Sequence, residues 1–160
     1  MKKVVIVHGW GGAPESEAWN PWLRKELEIK DFELIAPAMP NTDEPEISSW
    51  INKLKQTIPT PDEDTCFIGH SIGCQAILRY LETLDLEVKI AKVILIAPWM
   101  HLDEKTIEEE GEEVKEIAKP RMETPINWEK VKAHCKKFLC IFSDKDPYVP
   151  LSDSEMSKKN

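Results

Sequence analysis

What this 160-residue sequence has little of narrows the question before any motif is read. Positive charge is in deficit: 21 Lys and Arg stand against 29 Asp and Glu, a net charge of −8. Nucleic acid and anionic membrane surfaces both need a cationic footprint, so neither is expected as the main partner. Long hydrophobic runs are missing, and no segment is long and apolar enough to span a bilayer. The opening Met1-Lys2-Lys3 followed by Val4-Val5-Ile6-Val7 imitates a signal peptide, but its apolar run stops at His8, too short for an h-region. Cysteine is sparse: Cys66, Cys74, Cys135 and Cys140 form no CxxC and no metal-ligand spacing, and two of them sit inside apolar strand-like runs. Free thiols in a reducing cytoplasm, with no metal and no cofactor, are the expectation. Internal repeats are absent too.

What is present is the composition of a globular chain, 41% hydrophobic and 31% charged, of a size that fits one domain over residues 1–160. Short β-branched runs alternate with longer stretches of helical period. Val4 to Val7, Phe32 to Ala36, Thr65 to Ile68, Val93 to Ala97 and Phe138 to Phe142 are continuous apolar runs, the pattern of parallel strands covered on both faces. Between them, Ile47, Trp50, Ile51, Leu54 and Ile58 form one helical stripe, Ile77, Leu81 and Leu84 a second, and Trp128, Val131 and Cys135 a third. Alternation of this kind predicts a three-layer, doubly wound α/β domain with a mostly parallel sheet. Its functional residues are expected just after the strands, at their carboxyl ends.

Four segments occupy those positions. After the third strand comes Gly69-His70-Ser71-Ile72-Gly73, a G-x-S-x-G at a strand-to-helix junction, where the turn exposes a serine and the next helix start offers the Ile72 N–H to a developing oxyanion. The competing reading is a serine that merely caps a helix. After the first strand comes His8-Gly9-Trp10-Gly11-Gly12, which fits neither a P-loop nor G-x-G-x-x-G. Such a loop can supply a second oxyanion donor from Trp10 or Gly11, or be a plain turn. After the fifth strand Asp146 precedes Pro147 on the same rim, with Asp144 a weaker competitor and a turn role the alternative for both. After the fourth come Pro98, Trp99, Met100 and His101. Trp10, Trp99 and Met100 are candidates for an apolar acyl pocket, or for simple core.

These residues carry a resemblance. The stretches VVIVHGWGG, WNPWLRKEL, APAMPN with the Trp50 helix behind it, FIGHSIGCQAILRYLE, VILIAPW and FSDKDPYVP stand in one order along nearly the whole chain. Together they resemble the small serine hydrolases of the retinoblastoma-binding protein 9 and YdeN type, a compact branch of the α/β-hydrolase fold. The resemblance implies that Ser71 is a nucleophile, Asp146 the acid of a catalytic triad, and Ile72 and Trp10 the oxyanion donors. It also implies small carboxylic esters or related acyl compounds as substrates.

One element of that pattern is missing: the triad order is Ser, Asp, His, and no histidine follows Asp146. The remaining 14 residues are too few for a crossover helix, a further strand and a loop bearing a histidine. The ending Leu151 to Asn160 reads as the start of that helix, so the chain is expected to lack the last strand and helix of its fold. Of the four histidines, His8 and His70 read as structural and His134 falls at the opposite end of the sheet. His101 alone lies on the correct rim, as a substitute base or as a solvated loop residue.

The stretch from Leu102 to Lys119 carries eight acidic residues against three lysines. It reads as a solvated helical face or as a mobile lid whose charge disfavours anionic acyl groups. Two functional classes follow: a serine hydrolase of small acyl substrates, or a non-catalytic binding or regulatory module that keeps the oxyanion pocket. A missing edge strand further predicts an exposed sheet edge, with homodimerisation through it or marginal stability.

Overall fold

The computed structural model describes residues 2–15, 17, 19–102 and 104–159, so Asp103 of the acidic stretch and Asn160 of the C-terminal run lie outside the described residues. The elements run β1 (Lys3–Val7), α1 (Asn20–Ile29), β2 (Glu33–Ile35), α2 (Ile47–Thr57), β3 (Thr65–His70), α3 (Ile72–Leu81), β4 (Lys92–Ile96), α4 (Glu104–Glu110), α5 (Glu112–Glu123), α6 (Trp128–His134), β5 (Phe138–Ile141) and α7 (Ser152–Lys159). The five strands form one parallel sheet in the order β2-β1-β3-β4-β5. This is the α/β architecture expected from the sequence. All five apolar runs are strands, with ends displaced by one or two residues.

Side chains alternate across the sheet, and the two faces have different covers. Val5, Val7, Phe67, Val93 and Leu95 point into the main core with Trp50 and Leu54 of α2, Val131 of α6 and the length of α3. All ten residues of α3 are buried. Even Arg79 is, because its guanidinium donates to Gln75 Oε1 and to the carbonyls of Arg121 and Thr124. On the opposite face Val4, Ile6 and Ile68 pack under Trp19, Leu23 and Leu27 of the α1 segment. That cover thins along the registered row Ile6, Ile68, Ile94, Leu139. At the β5 edge Leu139 and Ile141 are 43% and 46% exposed.

Two anchors hold the loops that follow β1 and β2. Trp50, fully buried, donates from Nε1 to the Pro40 carbonyl and lies edge-on to His8. His8 Nε2 accepts the Met39 N–H at 3.1 Å, which leaves Nδ1 to donate to the Gly9 carbonyl. Both ring nitrogens of His8 are thus engaged, in keeping with a structural role. His134 is buried with Nδ1 on the Val88 carbonyl, and its own carbonyl accepts the Ile90 N–H just ahead of β4, at the opposite end of that strand from the Ser71 turn. No disulfide joins Cys66, Cys74, Cys135 and Cys140. Among the described residues, no helix is long and apolar enough to cross a membrane.

Candidate active site

The sharpest local feature lies between β3 and α3. Ser71 has φ 52° and ψ −123°, a left-handed conformation that costs a residue with a Cβ roughly 1–3 kcal/mol unless its surroundings impose it. They do. Ser71 N–H donates to the Ile96 carbonyl at 3.0 Å, and the Ser71 carbonyl accepts from Cys74 at 3.1 Å and from Trp99 at 3.4 Å.

The flanking glycines are required by contact rather than by dihedral freedom. A Cβ on Gly69 would lie 2.7 Å from Cys74 Cα, and one on Gly73 2.5 Å from the His8 carbonyl oxygen, with the Val7 oxygen on the same side. The start of α3 therefore sits directly on the end of β1. This close approach brings the Ile72 N–H, at the positive end of the helix, beside the His8–Gly12 loop.

That loop has its own fastenings. Gly11 N–H donates to the Thr42 carbonyl at 2.8 Å, which leaves the Trp10 N–H as the loop's candidate for an oxyanion. The Trp10 ring is held by Nε1 on the Asp43 carbonyl at 2.9 Å. Gly9 meets the elbow so closely that a Cβ on it would lie 3.2 Å from Ser71 Cβ.

A cavity of about 520 Å³ opens over the elbow. Trp10, Ser71, Ile72, Trp99 and Asp146, singled out from sequence, all line it. Met100 and His101 do not, and neither does Asp144. Asp146 Oδ1 accepts the Tyr148 and Val149 N–H groups at 3.0 Å each, so this carboxylate is fixed on the rim by its own turn. Leu102, Thr106, Glu110 and Val114 supply a further wall, which puts the acidic α4 and the start of α5 over the cavity. Gly111, at φ 95°, joins those two helices.

His101 is held elsewhere. Its Nδ1 lies 2.6 Å from Oδ1 of Asp153, which is fully buried at the start of α7, while Asp153 Oδ2 accepts the Met100 N–H at 3.2 Å. Sequence reasoning left this histidine as a substitute base or a solvated loop residue and did not see the carboxylate that braces it.

It also missed Glu17. Glu17 lines the cavity, and its Oε1 accepts the Gly9 N–H at 3.1 Å and sits 2.8 Å from His70 Nδ1. Burial pushes this carboxyl up, but the His70 hydrogen bond and charge, with help from Gly9 and His8, outweigh it and hold the group below the ordinary carboxylate range. His70, expected to be structural, forms part of the cavity wall.

The family profile described as "Serine hydrolase" matches residues 4–159. This chain belongs to the serine hydrolase family. Among curated relatives, it is 32% identical over 155 residues to the serine hydrolase RBBP9 of Rattus norvegicus, covering 96% of this chain and 76% of that protein. It is 36% identical over 96 residues to the putative hydrolase YdeN of Bacillus subtilis, covering 60% of this chain and half the length of YdeN. Among solved structures, the ydeN gene product of B. subtilis superposes with a TM-score of 0.83 at 29% identity, over 99% of this chain and 80% of that one. The α/β-hydrolase fold of this serine hydrolase family member thus agrees with the topology described above.

Proposed function

We propose that this chain hydrolyses small, uncharged carboxylic esters or related acyl compounds through Ser71. The observation that carries the reading is the strained Ser71 between two contact-enforced glycines, facing a cavity it shares with Trp10, Ile72 and Asp146. Ser71 Oγ attacks the acyl carbonyl, and the tetrahedral oxyanion takes hydrogen bonds from the Ile72 and Trp10 N–H groups, each worth about 3 kcal/mol in comparable sites. Collapse expels the alcohol, and water then releases the acid from the acyl-serine. Trp10, Trp99, Leu102 and Val149 give the acyl chain an apolar bed. Glu17, Glu110 and Asp146 on the same walls disfavour an anionic one. The stretch at residues 102–119 acts as the lid.

The Ser71 proton goes to His101 in this reading, with Asp153 holding its Nδ1 and leaving Nε2 as acceptor; Asp146 lends negative charge on the rim. The position of His101 outside the cavity walls favours the second reading, a module that binds acyl compounds in the oxyanion pocket without turnover.

Labelling by a fluorophosphonate probe from pH 5 to 9 separates the two. Ser71-dependent labelling that rises with pH and disappears in Ser71→Ala and His101→Ala supports hydrolysis. Absence of labelling in a folded sample sinks it in favour of binding.

A further inference from the structure

Trp10 stands between two glycines, Gly9 and Gly11, and the peptide unit that carries its N–H is held at the Gly9 carbonyl, which accepts from His8 Nδ1 at 2.9 Å and from the Gly12 N–H at 3.3 Å. A donor that must meet an oxyanion within a few tenths of an ångström needs to be fixed from outside. On one side the fixing is plain, since Gly11 N–H is tied to the Thr42 carbonyl. On the other, Gly9 N–H is tied to Glu17 Oε1. The same oxygen is bound by His70, the residue immediately before Ser71.

Glu17 is itself well placed to act as a brace. Its backbone carbonyl accepts the first amide of α1, Asn20 N–H, at 2.8 Å, and the Asn20 side chain in turn donates to the Pro14 carbonyl. Its carboxylate is buried, with side-chain exposure of 8%.

We propose that Glu17 is a positioning residue that clamps the Trp10 N–H against the Ser71 elbow, with His70 keeping the carboxylate in line. The clamp's catalytic consequence rests on the serine-hydrolase reading; the clamp does not. Among the described residues, the charged and titratable groups that face Glu17 are His70 from the end of β3, His8 from the end of β1, Cys74 of α3, and Glu110 and Asp146 across the cavity. Loss of the Glu17 charge releases the Gly9 N–H, so the Gly9–Trp10 peptide unit is held from its carbonyl side alone and the Trp10 N–H drifts off the oxyanion.

The test has two arms on the full chain. In ¹H–¹⁵N spectra recorded from pH 7 to 3, the Gly9 amide of the wild type is expected to titrate with a single carboxylate, with Trp10 and Gly11 following. In Glu17→Gln that titration is absent, and in Glu17→Ala the three amides broaden. Ser71→Ala titrates as wild type does. A Gly9 amide that is flat in the wild type, or that titrates unchanged in Glu17→Gln, overturns the clamp.

In the second arm, fluorophosphonate labelling is expected to slow about 10-fold in Glu17→Gln and about 100-fold in Glu17→Ala, the latter approaching the loss of one oxyanion donor. The probe's half-saturating concentration stays fixed, which a general loosening of the fold would not allow. Wild-type labelling rates in Glu17→Ala overturn the clamp. A wild type that never labels removes the hydrolase reading and leaves the amide titration to decide the clamp alone. If Glu17→Ala does not fold, Glu17→Gln, which retains an acceptor oxygen, carries both arms.

Discussion

Replacing Gly73 by alanine is the most direct probe of how the elbow is built. In an ordinary helix the change would stabilise by about 1 kcal/mol, because alanine loses less backbone entropy than glycine. Here the new methyl would lie 2.5 Å from the His8 carbonyl oxygen and crowd the Val7 oxygen as well. Both obstacles are main chain in or directly after β1, a central strand, so no rotamer change relieves them. Overpacking against movable side chains costs about 1–3 kcal/mol, and an immovable backbone pushes this to the upper end or beyond. The net expectation is a loss of about 2 kcal/mol or more, or a Tm drop of roughly 4–8 °C for a domain of this size.

Urea unfolding followed by tryptophan fluorescence measures it, with Gly111→Ala as the control. Gly111 has open space around its would-be Cβ but φ 95°, so its replacement costs about 1–2 kcal/mol through strain alone. An unfolding midpoint for Gly73→Ala equal to or above that of the wild type would refute the reasoning. It would mean that α3 does not rest on the end of β1 as closely as described.

Three further outcomes are expected. Trp50→Phe removes the donor to the Pro40 carbonyl and the contacts with His8 and with the Arg121 guanidinium, and should destabilise by about 2 kcal/mol in the same urea assay; a change below about 0.5 kcal/mol would count against Trp50 as the anchor of the Ala36–Pro40 loop. Burial pushes the Cys66 thiol up to about 11, so at pH 9 only about 1% is thiolate against about half for a thiol at its ordinary value of 9.0. Iodoacetamide should therefore modify Cys66 roughly 50-fold more slowly in the folded chain than in urea, the gap closing as pH rises toward 11, and equal rates would contradict that burial. Leu139→Lys combined with Ile141→Lys should abolish self-association through the β5 edge, and a wild type that sediments as a monomer at every concentration would remove that homodimer expectation.

The fold was readable because its signal is redundant. Val4–Val7 and Val93–Ala97 are covered on both faces, so they appear as unbroken apolar runs, and turn residues follow each of them. The ends were less legible. β3 continues through Gly69 to His70 because these residues pair with Leu95 and Ile96 of β4, a requirement that Thr65 to His70 do not advertise on their own. β2 keeps only Glu33–Ile35 of its apolar run, the part that pairs with β1. The helices α4 and α5 bury little of their acidic surface, so their periodicity is faint.

At the candidate site, residues next to strand ends could be placed on one rim from order alone, and Trp10, Ser71, Ile72, Trp99 and Asp146 do share a cavity. Partners that arrive from distant loops could not. Glu17 reaches His70 across 53 positions from a segment with no periodicity, and Asp153 meets His101 from the first turn of a polar helix. A carboxylate in such a segment looks like any solvated glutamate or aspartate until the fold closes around it.

The stitching of Ser71 into the end of β4 bears on how the protein moves. Because the Ser71 amide and carbonyl are bonded to Ile96 and Trp99, the thermal displacement of Ser71 is expected to follow that of the central sheet rather than that of the loops around the cavity. Its amide hydrogen should accordingly exchange with solvent only when the sheet itself comes apart, while amides of α4 exchange through small, frequent openings. The cavity thus combines one wall that keeps time with the slowest event in the molecule and another that fluctuates freely, and any acyl compound entering it passes from the fast wall to the slow one.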